Sequence, residues 1–243
     1  MIADLRKLWL EAFQETQFFT DLFFTKGYSP DRCHYIGENG VPVSALYWFD
    51  CHLQGHKFAY IYGVATLKSH QGKGFAGQLL RETHEILKNQ GYEGVLLVPA
   101  GEKLFDFYGK FGYEPATTAT NLHCEAGDTP VAMREISPEE YIRLYPDFLP
   151  ENSLVQGKEA LGFLQGYGHF YAGDDFLLVY ETKEKEPFAH ELLGNTQAAP
   201  GILKALGFPK GRFRCPGTER KFTMWLPLTA DCPKPGWFGL ALD

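Results

Sequence analysis

The sequence predicts an α+β fold: a mixed, mostly antiparallel central sheet with flanking helices over residues 1–126, then a second, smaller α+β domain over 127–243. Three observations predict it. Residues 33–67 alternate with a period of two around the turn pairs Asn39-Gly40 and Gln54-Gly55, as an antiparallel meander does. The stretch Gln71-Gly72-Lys73-Gly74-Phe75-Ala76-Gly77 then opens a segment of helical spacing, and a short apolar run follows that segment. After a break near 126–137, strand-like and helical segments alternate again as far as residue 228.

Taken in order, Leu5, Leu8, Trp9, Ala12 and Phe13 share one helical face, with Asp4 as a candidate cap. Thr16 can cap a second helix bearing Phe18, Phe19, Leu22 and Phe23, which Gly27 ends. The hairpin covers 33–50, and the next strand covers 57–67. Phe75, Leu79, Leu80, Thr83, Ile86 and Leu87 then keep helical spacing up to Gly91. Gly94 to Pro99 reads as a buried strand, 102–112 as a short helix, and 112–125 as two closing strands around Pro115. Ser137-Pro138-Glu139-Glu140 has the form of a capping box, and Ser153-Leu154-Val155-Gln156 repeats it. Strands at 175–181 and 187–194, a helix at 198–207 and strands at 211–215 and 221–228 complete the chain.

Bulk composition narrows the function. Apolar content of 44% with 22% charged residues is that of an ordinary globular protein, large enough for one core or two small ones. A net charge of −7 argues against a nucleic-acid partner and is compatible with a cationic acceptor. The five cysteines are scattered and odd in number, which predicts reduced thiols in a cytoplasmic protein and no metal site. No signal peptide or bilayer-length apolar run is present, so no membrane partner is expected.

The glycine stretch admits two readings. Gly72, Gly74 and Gly77 spell a dinucleotide fingerprint, but that needs a parallel βαβ unit and an acidic residue about 20 positions on. Antiparallel strands precede the loop here, and the strand after the helix, Val95 to Pro99, ends without an acid. The other reading needs only a strand, a glycine loop and a helix whose free N–H groups and dipole hold a pyrophosphate. A turn that binds nothing is the bland alternative.

Residues 64–80 together with 94–115 resemble the GCN5-related N-acetyltransferases (GNAT), which transfer an acyl group from acyl-coenzyme A to an amine. The likeness rests on the Q-x-x-G-x-A loop and on a later helix ending Tyr-x-x-x-Gly-aromatic, Tyr108 to Tyr113, and it covers residues 1 to about 125. The resemblance implies a sheet whose strands 57–67 and 94–98 splay apart to admit the pantetheine arm. Val64, Ala65 and Thr66 would then offer main-chain bonds, one N–H polarising the thioester carbonyl. Gln71, Gly72, Lys73, Gly74, Phe75 and Ala76 would form the pyrophosphate loop. Tyr108 stands where the family's tyrosine protonates the departing thiolate, a role that suits a neutral phenol; the plain alternative is a core tyrosine beside Phe105 and Phe107.

Three departures from the family pattern stand out. The strand before the loop offers only Tyr60 and Tyr62 where relatives often place a carboxylate base, leaving water, His56, Asp50 or Glu102 to take the proton. Gly101 stands where relatives often carry an asparagine, and the first strand is reduced to Met1-Ile2-Ala3, so that edge is absent or supplied from elsewhere. Residues 130–230 read as a worn second copy, with Gly207 on Gly112, Phe208 on Tyr113, Leu193 on Val98, and Leu203 in the place of Tyr108.

The expectation is therefore an acyltransferase that uses acetyl-CoA as cosubstrate and a small-molecule or peptide amine as acceptor. Residues 14–35 and 113–125 should border the acceptor, with Phe18, Phe19, Phe23, Tyr28 and Trp48 as lining or as core. Asp243, at the C-terminus, is a candidate active-site carboxylate by fold analogy. A non-catalytic acyl-CoA binder, and an interaction module built on the helices of 5–27, are the rival expectations.

Overall fold

The turn pairs fold as their chemistry requires. In the computed structural model, which describes residues 1–183 and 186–242, Asn39 and Gly40 take φ of 51° and 79°, and Gln54 and Gly55 take 51° and 91°. Positive φ at both central residues matches the twist of the flanking strands. They join β1 (Cys33–Glu38), β2 (Val41–Leu53) and β3 (His56–Thr66). The chain continues through β4 (Gly94–Leu97), β5 (Glu114–Pro115), β6 (Thr118–Glu125), β7 (Arg134–Glu135), β8 (Val155–Gln156) and β9 (His169–Ala172). The last strands are β10 (Phe176–Lys183), β11 (Glu186–Gly194), β12 (Lys210–Pro216), β13 (Arg220–Lys221) and β14 (Met224–Pro227). The helices are α1 (Ile2–Phe13), α2 (Gln17–Leu22), α3 (Phe75–Asn89), α4 (Glu102–Gly109), α5 (Pro138–Leu144), α6 (Lys158–Leu164) and α7 (Ala199–Leu206).

Local signals set most helix ends. Thr16 Oγ1 accepts from the Phe19 N–H at 3.2 Å, and Ser137 Oγ accepts from the Glu140 N–H at 3.2 Å. Two expectations need correction. Asp4 lies inside the first turn of α1 and pairs with the N-terminal ammonium at 3.2 Å, so it caps nothing. The stretch after Ser153 does not start a helix: Gln156 and Val155 pair with Cys51 and His52 of β2, and α6 begins at Lys158.

The strands form two sheets. The first runs β1-β2-β3-β4-β14-β5, with β8 on the end of β2, and among the described residues only β3 and β4 of its strands pair in parallel. The second runs β13-β6-β12-β11-β10-β9-β7, and among the described residues only its β11 and β12 are parallel. Each is thus an antiparallel meander, a helical crossover to a parallel neighbour, and an antiparallel strand beyond it. In this order α7 corresponds to α3, not to α4 as the match of Gly207 with Gly112 suggests. The strands expected around Pro115 part company: Glu114–Pro115 stay in the first sheet, and β6 enters the second. Among the described residues no strand precedes α1.

Two compact units result. One takes Met1–Pro115, Val155–Phe163 and Met224–Lys234; the other takes Ala116–Leu154, Leu164–Thr223 and Pro235 onward. The first packs Leu79, Leu80, Leu87, Val95, Leu97 and Met224 into one core. The second buries Leu178, Leu192, Ile202, Leu203 and Phe213 between its sheet and α7. Among the described residues no helix is long and apolar enough to cross a membrane.

Candidate active site

The first sheet opens where its single parallel pair ends. β3 and β4 pair from Phe58↔Gly94 to Ile61↔Leu97, where β4 stops while β3 runs on to Thr66. Gly63 to Thr66 therefore have no strand partner on that side among the described residues, although backbone groups need partners. On the other side the register with β2 slips: Ala45 faces Ala65 and Tyr47 faces Tyr62, so Gly63 and Val64 oppose Leu46 alone. This is a β-bulge, which re-aims the strand. Gly63 takes φ of 63°, and the Trp9 indole lies so close that a Cβ there would sit 2.5 Å from it. Gly63→Ala should accordingly destabilise the protein by about 3 kcal/mol, read as a lower urea midpoint.

The glycine loop follows directly. Gly72 and Gly74 take φ of 76° and 87°, and a Cβ at either would meet nothing within 4 Å. Their requirement is conformational, with open space above them. Gln78 N–H makes the first intrahelical bond, to Gly74 O at 3.0 Å, and no side chain caps α3 among the described residues. The N–H groups of Phe75, Ala76 and Gly77 thus stand at the positive end of a helix of 15 residues. Gln71 Nε2 donates to Thr66 O at 3.2 Å, and the Lys68 N–H donates to Glu11 at 2.8 Å, tying the loop to β3 and α1. His70 sits between Ser69 Oγ at 2.8 Å and Glu38 at 3.2 Å.

A cavity of about 360 Å³ opens on this loop. Of the expected residues Thr66, Gln71, Gly72, Gly74, Phe75 and Ala76 line it; Lys73 is exposed outside the lining, and Val64 and Ala65 lie back in the strand. The remaining wall is His70, Gly77, Arg81, Phe107 and Phe111, which sequence reasoning missed. Two of these carried a signal. Arg81 stands one helical turn beyond Gly77, which puts a guanidinium on the loop's side of α3. Gly77 is required because a Cβ there would lie 2.7 Å from the Phe111 ring.

Tyr108 lies in α4, 8% exposed, in the same apolar cluster as Ile61 and Leu97, with Val64 against it. Its ring meets Phe107 at 5.2 Å and Tyr113 at 5.8 Å. Burial pushes its phenol up to about 12. It does not line the loop cavity, where Phe107 and Phe111 of the same segment stand instead. The Tyr-x-x-x-Gly-aromatic motif has a direct physical account: Gly112 takes φ of 87°, and the Tyr113 N–H reaches back to Tyr108 O at 3.4 Å. That is a left-handed helix stop that folds the second aromatic onto the first.

The candidate bases are held elsewhere. Asp50 accepts from the Tyr92 hydroxyl and lies 3.9 Å from Arg32. His56 pairs with Glu93 at 2.8 Å, and Glu102 is exposed at the start of α4. Tyr62 belongs to an aromatic cluster with Trp9, Phe23, Phe49 and Phe163, and Trp48 is core. Gly101 is extended, with nothing within 4 Å of a Cβ, so space does not dictate its lack of a side chain. Among the described residues no group of three or more His, Cys, Asp or Glu could hold a metal ion.

The second unit repeats the parallel pair but closes it. β11 and β12 pair only at Phe188↔Arg212 and Ala189↔Phe213. Beyond that point His190 Nδ1 donates to Ala241 O at 3.1 Å, and Trp237 Nε1 donates to Glu191 at 2.6 Å, so the C-terminal segment covers β11. At the head of α7, Asn195 caps the Gln197 N–H at 3.0 Å, a proline occupies the first turn, and the Gly127 N–H binds Pro200 O at 2.9 Å. Asp243 lies outside the described residues.

Residues 2–116 match the family model described as an acetyltransferase (GNAT) domain. Among solved structures, the GCN5-related N-acetyltransferase of Kribbella flavida is 16% identical with a TM-score of 0.71, over 93% of this chain and 69% of that one. A GCN5-related N-acetyltransferase of Anabaena variabilis is 13% identical with a TM-score of 0.70, over 94% and 70%. A putative acetyltransferase of Pyrococcus horikoshii is 16% identical with a TM-score of 0.61, over 93% and 85%. At such identities the likeness is one of fold, and the fold is the α+β GNAT architecture. No curated protein sequence matches the chain.

Proposed function

Because residues 2–116 belong to the GNAT acetyltransferases, we propose that this chain is an acyl-CoA-dependent N-acyltransferase that moves acetyl from acetyl-CoA to an amine. The observation that carries the reading is the gap beside Gly63–Thr66 leading onto the head of α3, which no described side chain caps. The N–H groups of Phe75, Ala76 and Gly77 hold the pyrophosphate with Gln71, Gly72, Lys73 and Gly74 around it, and Arg81 adds a charge. The pantetheine arm lies along Val64, Ala65 and Thr66 as a strand would.

The amine, small-molecule or peptide, attacks the thioester carbon in a ternary complex, where proximity lowers the barrier. A main-chain N–H of the bulge at Gly63-Val64 receives the charge on the carbonyl oxygen. The tetrahedral adduct then expels the coenzyme A thiolate, which takes the Tyr108 proton. Burial raises the phenol, yet the thiolate loses solvent in the same place, so the two proton affinities stay close. The nitrogen gives up its own proton to water, and solvent returns a proton to the Tyr108 phenolate. The unit of Met1–Pro115, Val155–Phe163 and Met224–Lys234 thus carries donor binding; the other forms a degenerate GNAT-like domain without a donor site among its described residues. The reading places the protein in the cytoplasm, where thiols such as its five cysteines stay reduced.

A second reading, an acyl-CoA binder without catalysis, draws support from the engagement of Asp50 and His56 with other partners. Coenzyme A at a hundredfold excess over Kd should stabilise the protein by about 2.7 kcal/mol, raising Tm by about 5–10 °C. Absence of any shift sinks both readings. Thiol release from acetyl-CoA with a panel of amines separates them, since only the enzyme depends on the amine.

A further inference from the structure

Tyr113 is 3% exposed and sits at the left-handed stop of α4. Its hydroxyl lies 2.8 Å from His84 Nε2 on α3, the helix whose head forms the glycine loop. Its ring meets the Tyr108 ring edge-on, at 5.8 Å and 66°. Backbone, ring and hydroxyl of one residue therefore link Tyr108 to α3. Burial holds His84 down to about 4, so the imidazole is neutral near pH 7 and Nε2 can accept the Tyr113 O–H.

We propose that His84 and Tyr113 are a positioning pair: the hydrogen bond between them fixes the Tyr113 ring, which holds the Tyr108 hydroxyl toward the gap between β3 and β4. The inference rests on the acyltransferase reading for its catalytic consequence, but the ordering of Tyr108 is a property of the protein without substrate. Neither residue lines the loop cavity, so loss of the pair should leave the grip on coenzyme A alone and lower the rate of the proton-transfer step. An edge-on aromatic contact has little restoring force of its own. The hydrogen bond from the ring's far end to His84 supplies it.

Three variants test the pair. Tyr113→Phe keeps the buried ring and removes only the hydroxyl. His84→Leu removes the acceptor, and His84→Gln restores one at similar reach. Turnover of acetyl-CoA, coenzyme A affinity by calorimetry, and the Tyr108 ring signal in ¹³C-tyrosine protein, assigned through Tyr108→Phe, are the readouts. Tyr113→Phe and His84→Leu should lower kcat about tenfold, keep KM for acetyl-CoA within about twofold, and shift or broaden the Tyr108 signal. His84→Gln should recover most of the rate. Should His84→Leu not fold, Tyr113→Phe carries the test, because its ring still fills the core. An unchanged Tyr108 signal in Tyr113→Phe overturns the proposal, as does a loss confined to coenzyme A affinity or a His84→Gln no better than His84→Leu. A wild-type protein that binds coenzyme A and turns over nothing sinks the acyltransferase reading, while the ring signal still decides the pairing.

Discussion

Tyr108→Phe is expected to lower kcat about 10²-fold or more while coenzyme A affinity stays within about twofold. The substitution removes one oxygen from a residue that is 8% exposed and rests against Phe107 and Tyr113. The ring keeps its contacts, so the fold and the glycine loop are left as they were. What is lost is the proton for the departing thiolate. With its phenol pushed up to about 12 by burial, Tyr108 remains protonated through the neutral and mildly alkaline range. A fall in rate below pH 9 must come from another group, and a wild-type profile losing activity there cannot be assigned to Tyr108. Equal turnover by Tyr108→Phe and wild type would remove the residue from the mechanism.

The second large effect is on stability. Glu191→Leu should cost about 3–5 kcal/mol, visible as a loss of urea resistance in the second unit. Glu191 is fully buried on β11 and accepts from Tyr141 at 2.8 Å, Tyr145 at 2.9 Å and Trp237 at 2.6 Å. The buried Arg214 faces it as well, and Gly239 passes so near that any Cβ there would collide with the carboxylate. Leucine would leave three donors without their acceptor in an apolar interior. Burial raises the Glu191 carboxyl to about 7, against an ordinary value of 4.5. A raised carboxyl binds its proton more tightly in the folded chain than in the unfolded one. Its contribution is therefore complete below about 4.5 and is lost as pH rises through about 7. Unfolding in urea at pH 5 and pH 8 should show this decline in the wild type, and Glu191→Gln should flatten it. A slope unaffected by Glu191→Gln would show that Glu191 is already ionised at pH 5.

Local chemistry made much of the candidate site legible in advance. Asn39-Gly40 and Gln54-Gly55 can only be tight turns, because few other pairs adopt two positive φ values cheaply. Gly72 and Gly74 announced the loop for the same reason, and the Tyr108-to-Tyr113 spacing announced the stop after α4. Phe107 and Phe111 stayed hidden, because a cavity wall is shared by segments that only the fold brings together. Asp50 and His56 looked like available acid–base groups until Tyr92 and Glu93 proved to hold them.

By itself, then, the sequence determined the elements that depend on backbone dihedrals and on the period of apolar residues: the meander, the glycine loop, α3, α4 and its aromatic stop. Only the tertiary structure decided that β14 lies between β4 and β5, that β6 joins the second sheet beside β12, and that the C-terminal segment covers β11. Partners separated by more than a hundred residues along the chain, such as Leu97 and Met224, are selected by the apolar surface they jointly bury and by the main-chain bonds they complete. Neither quantity is written in any one segment. Both exist only after the sheet has formed.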